Sequence, residues 1–562
     1  YAANKVFRSD DRGRSWKAIS GDLTRQLDRD KLEVMGKIWS VDSVAKHLST
    51  SQFGNIVALS ESPKKAGLLY AGTDDGLIHV TEDDGKTWRK ISKFQGVPDM
   101  SYVARIVASQ HDESTVYAAF DNHKSGDFNA YLLKSTDKGK TWKSIIAPDS
   151  KVGPVLAIAE DHVNPNLLFV GTEFGLYFTV GGGKKWFRLK SGLPTISVRD
   201  LAIQKQMNDL AIGTFGRGIY ILDDYSPLRT ITEKSLAKEA LLFKPQTAYL
   251  YMPTRKYGLS GKAFLGSNFV TANNPAYGAV LTFYLRDSIK TKKQIRRAKE
   301  KGNITRHPTE QELRDEAAEE KPVVVLKITN AEGELVRVLS SSASSGIHRV
   351  AWDLREASSS GSRSGVYVAP GKFMATLFKR VEGKETRLTD PVELTVVAYQ
   401  AKGEKKVDHQ ARYQFQKKVE KLSAALSATL KVASDLTPRL STLQSAVDQA
   451  SVDAKWKEKV RVMQKEHREI LRLLRGDQVI RSYNRWTSPS TRDRLRYITS
   501  SQSRALLPPT GTQQKAYQIV EQELTTVLPR IRKLKDQDIQ EVEEALESAG
   551  IVIPGRLPTL NK

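Results

Sequence analysis

Two short stretches carry the side chains most capable of chemistry. In FDNHKSGDF, Asp121 and His123 stand two residues apart and Asp127 follows, so a carboxylate lies beside an imidazole. Such a pair can move a proton or hold a cation. In VRD, Arg199 precedes Asp200, while Arg105 and Arg217 sit in the phrases ARIVAS and GTFGRG. Three guanidiniums together can grip a carboxylate. Two acids facing each other across a cleft would instead serve glycoside cleavage, and Asp and Glu are plentiful enough to supply them. A structural reading competes with both, in which Arg199–Asp200 and Arg217 form salt bridges that close a ring of repeats.

Other chemistries are excluded or weak. The chain has no cysteine, which removes disulfides, zinc–thiolate sites and a cysteine nucleophile. No HExxH, GxSxG, P-loop or strand-linked GxGxxG occurs. Gly181–Gly182–Gly183–Lys184 resembles a phosphate loop only superficially, because it fills the place of a repeated hairpin motif. His467 lies on an apolar helical stripe, where a packed histidine is the simpler reading. No metal and no cofactor is expected.

The elements that must position these side chains are repeats. Ser/Thr-x-Asp-x-Gly-x-x-Trp occurs as SDDRGRSW (Ser9, Asp11, Gly13, Trp16), TEDDGKTW (Thr81, Asp83, Gly85, Trp88) and STDKGKTW (Ser135, Asp137, Gly139, Trp142). A degenerate fourth copy, TVGGGKKW, begins at Thr179. Asp accepts hydrogen bonds from turn amides, Gly supplies a positive φ, and Trp is expected to fold back over the hairpin. A second phrase recurs upstream, as LLYAGTDDGLIHVT, LLFVGTEFGLYFT and LAIGTFGRGIYIL. Each unit reads as four strands, and Trp-to-Trp spacings of 72, 54 and 44 describe propeller blades with insertions.

These motifs resemble the Asp-box (BNR) repeats of sialidase-like and sortilin-like propellers. The match is closest to the large bacterial Asp-box repeat proteins often labelled "glycosyl hydrolase". LSESP, AGTDDGLIHVTEDDGKTW, AFDNHKSGDFNAYLLKSTDKGKTW, VGTEFGLYFT and GTFGRGIYILDDYSPLR follow that family in order across roughly residues 50–230. The resemblance implies that the boxes are structural and peripheral, and that chemistry belongs at the channel mouth. It thereby singles out Arg105, Asp121, His123, Asp127, Arg199, Asp200 and Arg217. A sialidase needs three arginines, a Tyr nucleophile with its Glu, and a separate Asp; its arginine motifs are not recognisable here. The expected function is therefore a secreted or cell-surface, non-catalytic binding or scaffold module for protein or glycan. It would be bacterial and periplasmic, surface-bound or extracellular. The alternative is a sialidase- or xyloglucanase-like glycoside hydrolase acting at the channel mouth.

The fold class expected is mainly β. An Asp-box propeller portion (1–228) precedes an immunoglobulin-like β-sandwich (229–400) with an inserted charged helical hairpin (289–320). A helical bundle (401–562) follows, from apolar residues at three- and four-residue intervals, with Pro438 and PPTG at 508–511 as punctuation. SSSGSRS at 358–364 reads as a mobile loop. The chain begins in mid-blade, so the expected partner is a preceding part of the same protein, or another polypeptide, that completes the propeller. Hydrophobic content of 39 % with 27 % charged residues is that of a globular protein, and no apolar run is long enough to span a bilayer. Net charge is +24, which suits an anionic glycan or other polyanion. The charge is scattered, and the basic run 290–306 meets the acidic run 310–320. This pattern fits two mutually neutralising helices better than a nucleic-acid groove.

Overall fold

The computed structural model describes residues 2–44, 46, 53–146, 150–253, 271–300, 307–358, 365–400 and 407–553. Two units, 1–238 and 239–562, each hold together separately.

The first unit is a series of antiparallel meanders whose strands pair in chain order. One blade contains Ile56–Glu61, Leu69–Thr73, Ile78–Thr81 and Arg89–Ile91. The next contains Tyr102–Ala108, Val116–Asn122, Asp127–Ser135 and Lys143–Ser144. A third is built from Val155–Glu160, Leu168–Thr172, Gly175–Thr179 and Phe187–Leu189. A three-stranded sheet follows, Val198–Gln204, Asp209–Thr214 and Ile219–Leu222. Phe7–Arg8 pairs with Lys17–Ala18 across the first Asp box, so these two correspond to a blade's third and fourth strands. First strands of successive sheets are neighbours, from Ile56–Glu61 through Tyr102–Ala108 and Val155–Glu160 to Val198–Gln204. This radial order is a β-propeller arrangement.

Neighbouring sheets meet at glycine. A Cβ on Gly72 would lie 2.4 Å from the Val103 side chain, and one on Gly171 would lie 2.7 Å from the Val198 carbonyl oxygen. Each first strand also carries a register shift at the same place, between Ile56 and Ala58, Val103 and Arg105, Val155 and Ala157, and Val198 and Asp200. Antiparallel order then sorts the loops onto two faces. The face where first strands begin carries the hairpins between second and third strands and the connections between blades; we call it the entry face. The opposite face carries the Asp boxes and the turns after first strands, joined by Asp84 N–H to Gly67 O (3.1 Å), Lys138 N–H to Ser114 O (2.8 Å) and Gly182 N–H to Asn166 O (2.9 Å).

The boxes close by hydrogen bonds within eight residues. In the second copy, Gly85 N–H donates to Thr81 Oγ1 (2.9 Å), and Thr87 donates to Asp83 through its amide (2.9 Å) and hydroxyl (2.6 Å). Ser9–Asp11–Ser15 and Ser135–Asp137–Thr141 repeat the pattern. Hydrogen bonds from Ser15 and from Thr87 hold the Asp11 and Asp83 carboxyls down to about 2. Partial burial pushes Asp137 up, but Thr141 and Ser135 overcome it and bring it to about 2 as well. Two details differ from the sequence reading. The residue before each box glycine is also left-handed, with φ of 61° at Arg12, 66° at Asp84 and 58° at Lys138. In the degenerate copy Gly182 takes that position, which removes the strain of a Cβ there. Trp142 folds back on its own hairpin, donating to Gly139 O (3.1 Å), and the Trp16 ring likewise lies over Gly13 of its own box. Trp88 and Trp186 instead donate to Ile19 O (3.0 Å) and Ile145 O (2.9 Å), beyond the last strand of the preceding blade.

The second unit pairs two sheets around one core containing Leu281, Phe283, Leu326, Ile328, Trp352, Phe373 and Leu377. One sheet has Ala240–Leu242, Ala279–Leu285 and Gly346–Trp352; the other has six strands centred on Gly371–Val381 and Val323–Thr329. Between Ala279–Leu285 and Val323–Thr329 lie helices Lys292–Glu300 and Glu310–Ala318, joined by Arg296, which donates to Glu316 at 2.6 and 2.9 Å. All but the first residue of the 358–364 loop, and 301–306 of the basic run, lie outside the described residues.

The helical part begins with His409–Gln449, a single helix of 41 residues that runs straight through Pro438. Proline does not punctuate here because Leu436, Leu440 and Leu443 on either side are buried in the bundle core, which outweighs the roughly 3 kcal/mol cost of an interior proline. PPTG does precede a helix: Thr510 caps Gly511–Lys533 in a capping box with Gln513. His467 is buried with Nε2 2.7 Å from Ala433 O, a packed core histidine. Arg412, fully buried, donates to Val368 O (2.8 Å) on the sandwich and to Gln416 Oε1 (3.1 Å), and burial pushes it down to about 10.

Two outcomes follow. Gly72→Ala should cost about 1–3 kcal/mol by overpacking against Val103, read from the denaturation midpoint, whereas Gly21→Ala, with open space around it, should be neutral. His79 is buried between the N-terminal strands and the first complete blade, and burial together with Lys90 lowers it to about 4. The unfolded chain therefore binds a proton that the folded chain refuses, so stability should fall as pH drops from about 6.5 towards 4, by up to about 3 kcal/mol. His79→Leu should remove that portion of the acid limb.

Candidate functional site on the entry face

The residues singled out by type and spacing all reach the entry face, where the structure sorts them into separate groups. Arg105 and Asp200 occupy the same position in first strands two sheets apart, each just past the register shift, opposite Ala119 and Gly213 respectively. Their side chains meet, Arg105 Nη2 to Asp200 Oδ1, at 2.5 Å. The intervening blade has Ala157 at this position, paired with Gly171, and these small residues leave room for the bridge.

Arg199 takes a different partner from its chain neighbour. Its Nη2 donates to Glu173 Oε2 (3.3 Å), which also accepts from Ser197 Oγ (3.0 Å), and its guanidinium lies 5.5 Å from the centre of the Phe215 ring. Arg199 and Asp200 therefore take different partners; Arg199 is the extra residue at the register shift between Val198 and Asp200. Arg217 is exposed in the hairpin before Ile219–Leu222 and makes no ion pair among the described residues.

Asp121 and His123 do come together, with His123 Nδ1 2.6 Å from Asp121 Oδ2 and its amide donating to Oδ1 at 3.1 Å. Asp121 is buried and His123 partly exposed. Asp127, at the other side of the same hairpin, accepts from Tyr131 Oη (2.6 Å), Asn129 N–H (3.0 Å) and Asn122 Nδ2 (3.2 Å). Desolvation opposes its ionisation, but the Tyr131 hydroxyl and the Asn129 amide prevail and lower its pKa. Among the described residues no group of three or more His, Asp or Glu could hold a metal ion.

Three features escaped the residue-type reading. The DD of AGTDDGL is an anchor: Asp74 Oδ1 accepts from Gly54 (3.0 Å) and Asn55 (2.8 Å) amides, and Asp75, fully buried, accepts from Arg25 N–H (2.7 Å). Together they pin both ends of the connection that carries exposed Met35, Ile38, Val41 and Val44. Each of the three later hairpins presents a phenylalanine, namely Phe128, Phe174 and Phe215, exposed by 53 %, 41 % and 69 %. On the opposite face, fully buried Asp161 accepts from Arg229 Nε (2.8 Å) and Nη2 (2.7 Å) and from Tyr225 Oη (2.7 Å). The phrase DDYSPLR contained part of that signal, a Tyr and an Arg lying beyond the last strand of the sheet.

No family model and no curated protein matches the chain. Among solved structures, it is similar to the GH74 xyloglucanase of Xanthomonas campestris at 17 % identity, covering 28 % of this chain and 26 % of that one, with a TM-score of 0.24. It is also similar to YCF48 from Cyanidioschyzon merolae (18 % identity, 30 % of this chain, 52 % of that one, TM-score 0.23). A third likeness is the Cps50 (Swd1) β-propeller domain of Myceliophteria thermophila (16 %, 33 %, 55 %, TM-score 0.24). The chain thus spans between a quarter and just over half the length of these proteins. The class defined by its own blades is a β-propeller with a C-terminal helical region; among the described residues no helix is long and apolar enough to cross a membrane.

Breaking the buried ion pair tests the opposite-face clasp. Asp161→Asn should destabilise the protein by about 3–5 kcal/mol, because it leaves the Arg229 guanidinium without its charge partner. Asp121→Asn, on the entry face, should cost markedly less in the same urea titration.

Proposed function

We propose that this chain is a non-catalytic binding or scaffold module that engages a protein or glycan ligand through its entry face. The observation supporting this reading is the contrast between charged and aromatic groups there. The candidate acids and bases are occupied by one another or by Glu173, Tyr131 and backbone amides. Phe128, Phe174 and Phe215, with Arg217 nearby in sequence to the last, are presented outward. A catalyst needs groups poised for a substrate, whereas a binding surface needs rigid apolar platforms and a few cations. The resemblance to Asp-box proteins adds the rest of the proposal: a secreted or cell-surface location in a bacterium.

The reading favoured second is a glycoside hydrolase, for which the Asp121–His123 pair is the supporting observation. A hydrolysis screen over neutral and acidic glycans separates the two. No turnover is expected; turnover abolished by Asp121→Asn or Asp200→Asn would overturn the binding reading. In a parallel binding screen over glycans and peptides, Phe215→Ala with Arg217→Gln should weaken the ligand found by about tenfold.

A further inference from the structure

The helical region carries a surface unrelated to the propeller. Residues 478–504 contain six arginines and one aspartate, with no lysine and no glutamate. Arg481 donates to Asp493, and Arg494 lies 3.8 Å from Glu523. Arg485, Arg492, Arg496 and Arg504 are exposed and have no acidic partner among the described residues. Arg492 and Arg496 stand one turn apart on the solvent side of helix Thr491–Gln502, whose opposite side buries Leu495 and Ile498. Interleaved with them are Tyr483, Trp486 and Tyr497, exposed by 74 %, 84 % and 49 %. Trp486 is the more notable because tryptophan is seldom left in water without a use.

We infer that this surface, the loop 483–489 with the outer face of Thr491–Gln502, binds an acidic polysaccharide. The exclusive choice of arginine points to planar oxyanions, since guanidinium pairs bidentately with carboxylate or sulfate where ammonium offers a point charge. The rings supply flat apolar faces on which the C–H side of a sugar packs. Rings exposed by 74 % and 84 % project from the surface rather than lining it. Single-stranded nucleic acid is instead tracked along a charged groove, so this projecting arrangement favours the glycan. The net charge of +24 adds long-range attraction to the same class of ligand.

The test uses the full chain and polygalacturonate, measured by titration calorimetry at about 50 and about 300 mM salt. Oligothymidylate and phosphatidylglycerol vesicles are the competing probes. Binding to polygalacturonate is expected, weakened about tenfold by R485Q/R492Q/R496Q and about fivefold by Y483A/W486A, which leaves the charge intact. R485K/R492K/R496K should recover only part of the loss. All these side chains are exposed, so circular dichroism and melting should match the parent chain. The inference fails if the oligonucleotide or the vesicle binds more tightly than polygalacturonate at the same salt. It fails equally if Y483A/W486A binds as the parent does, or if the polysaccharide does not bind at all.

Discussion

Everything in the first unit depends on how closely one blade can approach the next. At Gly72 and Gly171 there is no space for even a methyl group, because the first strand of the following blade occupies it. That approach fixes the radial order of the sheets, and the repeated register shift fixes which residue of each first strand stands at the entry. Arg105 and Asp200 meet two sheets apart because both constraints hold at once, and because Ala157 and Gly171 between them are small. A bulkier pair in the middle blade would remove the bridge without touching either charged residue.

The two faces divide the work. On one, the Asp boxes satisfy their own carboxylates, and Trp88 and Trp186 reach across to the carbonyls of the preceding blade. Asp161 with Arg229 and Tyr225 adds a buried clasp between the third blade and the segment that follows the last sheet. On the other face, the hairpins differ in both length and side chains, with two residues between Thr172 and Gly175, three between Thr73 and Leu77, and four between Asn122 and Asp127. The most repeated strings in the chain thus mark where function is not, and the least repeated mark where it is sought.

What was legible in the sequence was local. The box TEDDGKTW contains nearly all of its own hydrogen-bonding partners, so its role followed from eight residues. Blade strands were visible for the same reason, since VGTEFGLYFT folds onto itself. Partners set by distant register were not visible. Arg199 stands beside Asp200 in sequence, yet its partner is Glu173, 26 residues earlier, in the hairpin of the neighbouring blade. The two aspartates of TDDG gave no hint of anchoring residues 25 and 54–55, a contact set by a long connection. Pro438 would stop an isolated helix, but the leucines around it belong to a packed bundle. The reach of Trp88 and Trp186 to a neighbouring blade was likewise invisible, because a motif does not encode what lies beside it.

The hairpin after each second strand has a further consequence. TDDGL and TFGRG close three-residue loops, Thr73 N–H to Leu77 O and Thr214 N–H to Gly218 O, whereas in TEFGL Thr172 stands opposite Gly175 across two residues. Yet each is tied to the preceding connection by a main-chain bond, Asp74 to Asn55, Glu173 to Pro154 and Phe215 to Ser197, at 2.9, 3.1 and 2.9 Å. Backbone supplies the common fastening, so the loop can change length and side chains without losing its seat: TEFGL is shorter than the other two and adds Glu173, which accepts from Ser197 and Arg199. In the first loop Asp74 and Asp75 also moor the long connection, so exchanging that loop would cast the connection adrift while leaving the blade intact.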